Sequence, residues 1–357
     1  MAFTSQPLSI FDALEAIVRR DPGRRGVASY RVDGSWLAAG ELERAARELA
    51  AHAKCVAIVT GFCITSAEPP AAETDGPPGA LYLAQAFIAL GIETVLLSDR
   101  FGLPLLECGR RAWGLEAEIV ETPLGAESEK RKAGDAAVDW CHRFFASPLG
   151  RRLTHLISIE RVGPSHTADS LAAQTRGGPC PLEQFAREVP PEHRGVCHNM
   201  RGVSIDAVTA PAHLLFEAAA RDASIRTIGI GDGGNEIGMG SLLWETLRAA
   251  LTGEHAGRTI CRIATDHLIL SGVSNWGAYA LACAVAGLRS RADLLSGWDG
   301  AIQRRLIERL VQDAGAVDGV TGRREPTVDG IPLDDYSAIV DQIVRTARRH
   351  SIFGPTV

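Results

Sequence analysis

The sequence predicts an α/β fold, a mainly parallel sheet flanked by helices on both faces in a Rossmann-like three-layer sandwich. Two observations carry this. Short apolar, β-branched runs alternate with amphipathic helical stretches along most of the chain, the pattern of strands buried on both faces. Polar residues then follow the runs: Thr60 and Gly61, Ser98 and Asp99, Glu160 and Arg161, Asp232, and Thr265 with Asp266. That places them at carboxyl ends, outside which ligands bind in open α/β sheets, near the point where strand order reverses. Any strand leaving a core also ends in polar residues, so a single position such as Asp99 says little and the set says more.

Taken in order, residues 8–20 and 40–53 are expected to be helices, with turns at 21–26 and 33–34. Residues 55–60 form the first buried strand, 78–90 a helix, 94–97 a strand, 103–113 a helix and 117–120 a short strand. A strand at 153–159 follows, then a long irregular stretch at 162–200 rich in Pro, Gly, His and Ser; loops of that length usually carry function. A helix at 206–221, a strand at 225–230 and a strand at 260–264 come next, and helices near 275–287, 300–313 and 333–349 close the chain. Residues 1–357 read as a single α/β domain, with 1–53 a helical part packed on it and 333–357 a C-terminal helix and tail.

Composition bounds the function. With 357 residues, 46% of them hydrophobic, the chain can bury a large core. A net charge of −6 argues against a nucleic-acid partner, which needs a dense basic stripe. Eight cysteines without C-x-x-C spacing argue against a zinc ribbon or a redox pair. No secretory signal and no membrane span are seen, so a cytoplasmic location is expected by default.

Residues 229–240, GIGDGGNEIGMG, lie between a strand and a leucine-periodic stretch. Glycines let a ligand approach the main chain, and the amides of a helix start attract anions. Gly229, Gly231 and Gly234 fit G-x-G-x-x-G, but the acid expected about 20 residues later is missing, so a nucleotide cofactor is not expected. Asp232 and Glu236 are candidate general base and acid, and the amides of Gly233, Gly234 and Asn235 are candidate receivers of an anionic oxygen. Loop organisation alone would also explain the two acids.

Seven segments together resemble the D-glutamate cyclase-like C-terminal family: 73–80 (ETDGPPGA), 157–163 (ISIERVG), 198–202 (HNMRG), 229–240, 265–266 (TD), 272–277 (GVSNWG) and 327–330 (TVDG). The resemblance runs from about residue 10 to residue 345. The family takes its name from a mitochondrial animal enzyme that converts D-glutamate into 5-oxo-D-proline and water, in which the related region follows a second domain without counterpart here. The resemblance implies a carbon–oxygen hydro-lyase acting on a small amino dicarboxylate. A metal-dependent hydrolase or phosphate-ester enzyme in the same crevice, and a non-catalytic anion-binding module, stay open as alternatives.

Such a cyclisation needs a base for the ammonium, donors for the tetrahedral oxyanion and an acid for the departing oxygen. Asp232, Glu236, Glu73 and Asp75 are the candidate catalytic acids. Arg161 and Arg201 are candidates for gripping the two substrate carboxylates, with Asn199, Ser274 and Asn275 as further substrate contacts. Asp75, ahead of Gly76 and Pro77, would equally serve as a helix cap, Ser274 or Asn275 would cap the helix they begin, and Asp329 with Gly330 reads first as a turn. Arg161 or Arg201 would equally pair with Glu160 or Asp206. His198 is the one histidine placed to carry a proton. Magnesium or manganese would take carboxylates from distant loops and leave no spacing to recognise; Glu73, Asp75, Asp232, Glu236 and Asp266 are the candidate ligands. Neither the presence of a cation nor a homo-oligomer is decided by the sequence.

Overall fold

The computed structural model describes residues 9–124 and 133–349. Six parallel strands form the central sheet: β1 (Cys55–Thr60), β2 (Glu93–Ser98), β3 (Glu118–Glu121), β4 (His155–Ile159), β5 (Arg226–Gly231) and β6 (His267–Leu270), in the order β6-β5-β4-β1-β2-β3. The chain builds outward from β1 to β3, returns beside β1 with β4 and builds outward the other way. Strand order therefore reverses between β1 and β4, and a crevice opens beyond their carboxyl ends.

The sheet is covered on both faces, as expected. One layer holds α1 (Ile10–Val18), α2 (Glu41–His52), α3 (Pro77–Ala89), α4 (Leu103–Trp113), α11 (Ser274–Leu288), α12 (Gly300–Ala314) and α13 (Leu333–Arg349). The other holds α5 (Ala133–Ala146), α6 (Ala168–Ala173), α7 (Leu182–Glu188), α8 (His213–Ala219), α9 (Trp244–Ala250) and α10 (Ala256–Thr259). Alternate residues of β1 feed the two cores: Val56 and Ile58 pack toward α3 and α11, while Cys55, Ala57 and Val59 join Phe144, Phe216 and Trp244. Helix α11 is buried from Ser274 to Gly287 because it is enclosed by α2, α3 and α13, and its alanines allow the close approach to α3.

Several sequence expectations shift. The sixth strand is β6, not 260–264; that segment instead forms isolated bridges, Cys261 with Ser165 and Ala264 with Gly238 and Met239. Its apolar residues fill the core against the glycine loop, a burial that periodicity does not distinguish from a sheet strand. The expected helix at 206–221 is a 3-10 turn, Asp206–Val208, followed by α8, because Pro211 lacks an N–H and restricts Ala210. The irregular 162–200 stretch contains α6 and α7, and α5 was not foreseen. The tail at 350–357 lies outside the described residues.

Two excursions wall the crevice. Residues 61–76 separate β1 from α3, and 315–332 separate α12 from α13. They are stitched together: Val317 N–H donates to Ala72 O (3.1 Å), Thr74 N–H to Val317 O (2.9 Å), and the Thr74 hydroxyl to Thr327 O (2.7 Å).

Candidate active site

At the switch point a cavity of about 320 Å³ opens, lined among others by Arg25, Glu73, Glu160, Asp232, Glu236 and Arg201. It is at the small end of the roughly 300–1,000 Å³ typical of small-molecule sites. Met200, Val203 and Val320, all exposed, form an apolar mouth.

The glycine loop uses its own amides. Glu236, fully buried, accepts N–H bonds from Asp232 (3.2 Å) and Gly233 (2.6 Å) on Oε1 and from Gly234 (2.7 Å) on Oε2. The anion cradle expected at Gly233 and Gly234 exists, but the chain's own carboxylate fills it, because residue 236 folds back on residues 232–234. No helix begins there either; α9 starts only at Trp244. Asn235 lines the cavity, with its side-chain N–H donating to His198 O (2.8 Å) and its carbonyl accepting from Gly163 N–H (3.0 Å).

Asp75 and Asn275 form a reciprocal cap. Asp75 accepts the N–H groups of Ser274 (2.9 Å) and Asn275 (2.8 Å) at the start of α11, and Asn275 Oδ1 accepts those of Gly76 (3.0 Å) and Gly79 (2.7 Å) at the start of α3. Each helix thus finds acceptors for its orphan amides in the other's first turn. Gly76 is required at the crossing: its φ is +95°, and a Cβ would stand 2.7 Å from Thr60 Oγ1. The polar atoms of Asn275 are spent on this lock, since Nδ2 donates to Thr74 O (3.0 Å), and Ser274 Oγ donates to Glu160. Both residues are fully buried and stand off the cavity wall, so they hold acids in place and do not touch a ligand in the cavity.

A residue not singled out in the sequence organises the centre. Arg25, turned inward by an Asp21 carboxylate that accepts the N–H groups of Arg25 (2.9 Å) and Gly26 (2.7 Å), bridges Asp232 and Asp329, the latter at 2.7 Å. Asp329, read first as a turn, is buried. Glu160 joins them with a left-handed φ of +46°, held through the Ser274 hydroxyl. The sequence marked Glu160 as a strand-end polar residue and as a possible partner of Arg161, with no site role; Arg25 carried no signal.

Carboxyls therefore crowd around one guanidinium. Burial, with Asp329 and Asp75 nearby, holds the Glu73 carboxyl well above its ordinary range; burial, with Asp232 and Glu236 nearby, does the same to Glu160. Burial also raises Asp232 and Asp329 against the opposing pull of Arg25, and raises Asp75 to about 7 against the amides that it accepts. Glu73 is only 5% exposed, and its carboxyl makes no hydrogen bond among the described residues. Gly319 makes room for it: a Cβ there would stand 1.8 Å from Glu73 Oε2.

Glu73, Asp232, Glu236, Asn235, Asn199 and Arg201 of the sequence candidates line the cavity. Asn199 Oδ1 accepts the N–H groups of Arg201 and Val203 (both 3.0 Å), shaping the turn that presents Arg201, whose guanidinium reaches Val320 O (3.1 Å) at the mouth. Arg161 is not at the cavity. It is buried and donates to Asp99 (2.6 Å), Gly61 O (2.7 Å) and Ala210 O (2.8 Å), bracing the loops behind it. Asp266 is at the opposite rim: it precedes β6, and its carboxylate accepts Thr227 N–H (2.7 Å) and hydroxyl (2.9 Å) at the start of β5. Misplacing the last strand misplaced this acid. His198 faces His193 (3.1 Å) away from the cavity, and burial pushes it down to about 4, so it stays neutral near pH 7.

No described helix is long and apolar enough to cross a membrane. The D-glutamate cyclase-like, C-terminal family model matches residues 14–176 and 188–344. The human protein named D-glutamate cyclase, mitochondrial, is 30% identical over 355 aligned residues, 91% of this chain and 50% of that relative. The chain thus spans about half the length of this relative. The match runs through both walls of the cavity and every strand of the sheet, and on it the chain belongs to the D-glutamate cyclase-like, C-terminal family.

Proposed function

We propose that the chain is a carbon–oxygen hydro-lyase that closes D-glutamate to 5-oxo-D-proline. The substrate nitrogen attacks its own side-chain carboxyl carbon, the tetrahedral intermediate collapses, and one carboxyl oxygen leaves as water. Family membership supports the reaction, and one observation carries the mechanism: Glu73, 5% exposed and without a hydrogen bond to its carboxyl among the described residues, lines a cavity that also holds a guanidinium-bound carboxylate, Asp232.

Two protons leave the nitrogen and two reach the departing oxygen; one passes directly between them in the tetrahedral intermediate, and the two acids carry the other. Glu73, whose surroundings favour its protonated form, gives a proton to the departing oxygen. Asp232, whose carboxyl is in contact with Arg25, takes one from the substrate ammonium. Arg201 at the mouth meets the α-carboxylate, and the small cavity folds the substrate so that nitrogen and carboxyl meet, converting lost freedom into rate. A phosphate ester fits less well. The loop amides that would receive it are occupied by Glu236, and the surrounding carboxyls repel a polyanion.

The test is to incubate the full chain with D- and L-glutamate and follow 5-oxoproline by mass spectrometry. Formation from D-glutamate above the spontaneous rate, reduced at least about 100-fold in Glu73→Gln, is expected. No product from either enantiomer would overturn the reading, and undiminished turnover in Glu73→Gln would remove Glu73 from the mechanism.

A further inference from the structure

We propose that Asp75, Asp232 and Asp329 hold one hard divalent cation, of the magnesium or manganese class, behind the cavity wall at Asp232. One oxygen from each of these carboxylates lies within 4.8 Å of the others. The three arrive from three places in the fold: the excursion before α3, the carboxyl end of β5, and the excursion before α13.

A group of acids is not a site by itself, and two further observations point to a ligand. Asp232 Oδ2 and Asp329 Oδ2 are both fully buried and lack a hydrogen-bond donor among the described residues, although the other oxygen of each accepts from Arg25. Glu73, outside the trio and 5% exposed, lines the cavity beside Asp232 and makes no hydrogen bond through its carboxyl among the described residues. Buried polar atoms are normally satisfied, so several free lone pairs converging on one region mark a missing positive partner. The charge says which kind. Three carboxylates against one guanidinium leave two negative charges, which one divalent ion cancels. The donors are all carboxylate oxygens, the preference of hard ions.

The second layer is already built. Arg25 spans Asp232 and Asp329 and fixes their spacing, and the α11 amides fix Asp75, the role that outer hydrogen bonds play around metal ligands. A neighbouring group, Glu160, Asp232 and Glu236, also lies within 4.8 Å. It is the poorer site, because only Asp232 among its members has a fully buried oxygen without a partner, whereas Asp232 and Asp329 both do in the first group. The ion's chemical use, drawing electron density from the carboxyl under attack, rests on the cyclase reading; its binding does not.

Full-length chain stripped with EDTA is titrated with MnCl₂, and free Mn²⁺ is followed by its paramagnetic resonance. One ion per chain is expected, bound at least tenfold more weakly by Asp232→Asn and by Asp329→Asn and unchanged in the remote Asp266→Asn. Failure to bind Mn²⁺ or Mg²⁺ at millimolar concentration, or binding as tight as the parent's in both site variants, would overturn the inference. Circular dichroism shows whether the variants fold; if neither does, the parent's melting temperature decides, a rise with Mn²⁺ supporting the site and no change overturning it. Product from D-glutamate by a chain that binds no Mn²⁺ or Mg²⁺ overturns the inference and leaves the cyclase reading standing. One bound ion with no product from either enantiomer supports the inference and overturns the cyclase reading.

Discussion

Replacing Asn275 by alanine probes the lock that holds the site together. The side chain is fully buried and makes three hydrogen bonds to main-chain groups: it accepts Gly76 N–H and Gly79 N–H and donates to Thr74 O. Gly76 N–H keeps a second acceptor, Asp75 Oδ1 at 3.0 Å, so alanine orphans two groups, Gly79 N–H and Thr74 O. Each unsatisfied buried group costs about 1–3 kcal/mol, so the expected loss is about 3 kcal/mol. Unfolding entropy near the midpoint is about 2.1 cal/mol/K per residue, or roughly 0.75 kcal/mol/K for 357 residues, which converts the loss to a melting temperature lower by about 4 °C. Differential scanning calorimetry of parent and variant measures it directly. Asn275→Asp is not expected to recover the loss: it restores an acceptor for Gly79 but sets a second carboxylate against Asp75. A midpoint within about 1 °C of the parent in Asn275→Ala would refute the reciprocal cap.

Three further outcomes are expected. Gly319→Ala drives a methyl into Glu73 Oε2, so turnover should fall by about 100-fold while stability changes by about 1 kcal/mol; full activity would remove Glu73 from the chemistry. Asp266→Asn weakens a partly exposed contact to Thr227 at the far rim and should cost about 1 kcal/mol with turnover intact; a lost activity would move the site to that rim. His155, 1% exposed at the start of β4, is pushed by burial from 6.5 down to about 4. The unfolded chain takes up a proton there below about pH 6.5 while the folded chain refuses it, so stability present above pH 6.5 is lost as the pH falls toward 4, by roughly 3 kcal/mol for this residue. Urea melts at pH 7 and pH 5 should therefore show a smaller difference in His155→Gln than in the parent, and an equal difference would count against the buried neutral imidazole.

Much of the architecture was legible because it rests on local rules. The run at 55–59 is apolar at every position and became a strand buried on both faces; the helix at 103–113 has the bounds that its pattern predicts. The failures share a cause. Residues 260–264 are as apolar as a strand, and only their partners show that they cover the glycine loop; Asp266 moved to the wrong rim with them. Glu236 looked like a helix-start acid, yet its carboxylate turns back onto the loop amides, a fold-back that residue type alone does not reveal.

The sequence by itself determined the doubly wound sheet, the family and the acids at the carboxyl ends, since periodicity, strand-end polarity and an ordered set of segments are properties of the linear chain. Only the tertiary structure decided which acids share a centre. Arg25 meets Asp329 across 304 positions and Asp232 across 207, and Asp75 meets Asn275 across 200. Such meetings depend on how the excursions before α3 and α13 are stitched over the switch point, and the energy that holds them, buried amides and a desolvated guanidinium, exists only once the sheet has brought the segments together.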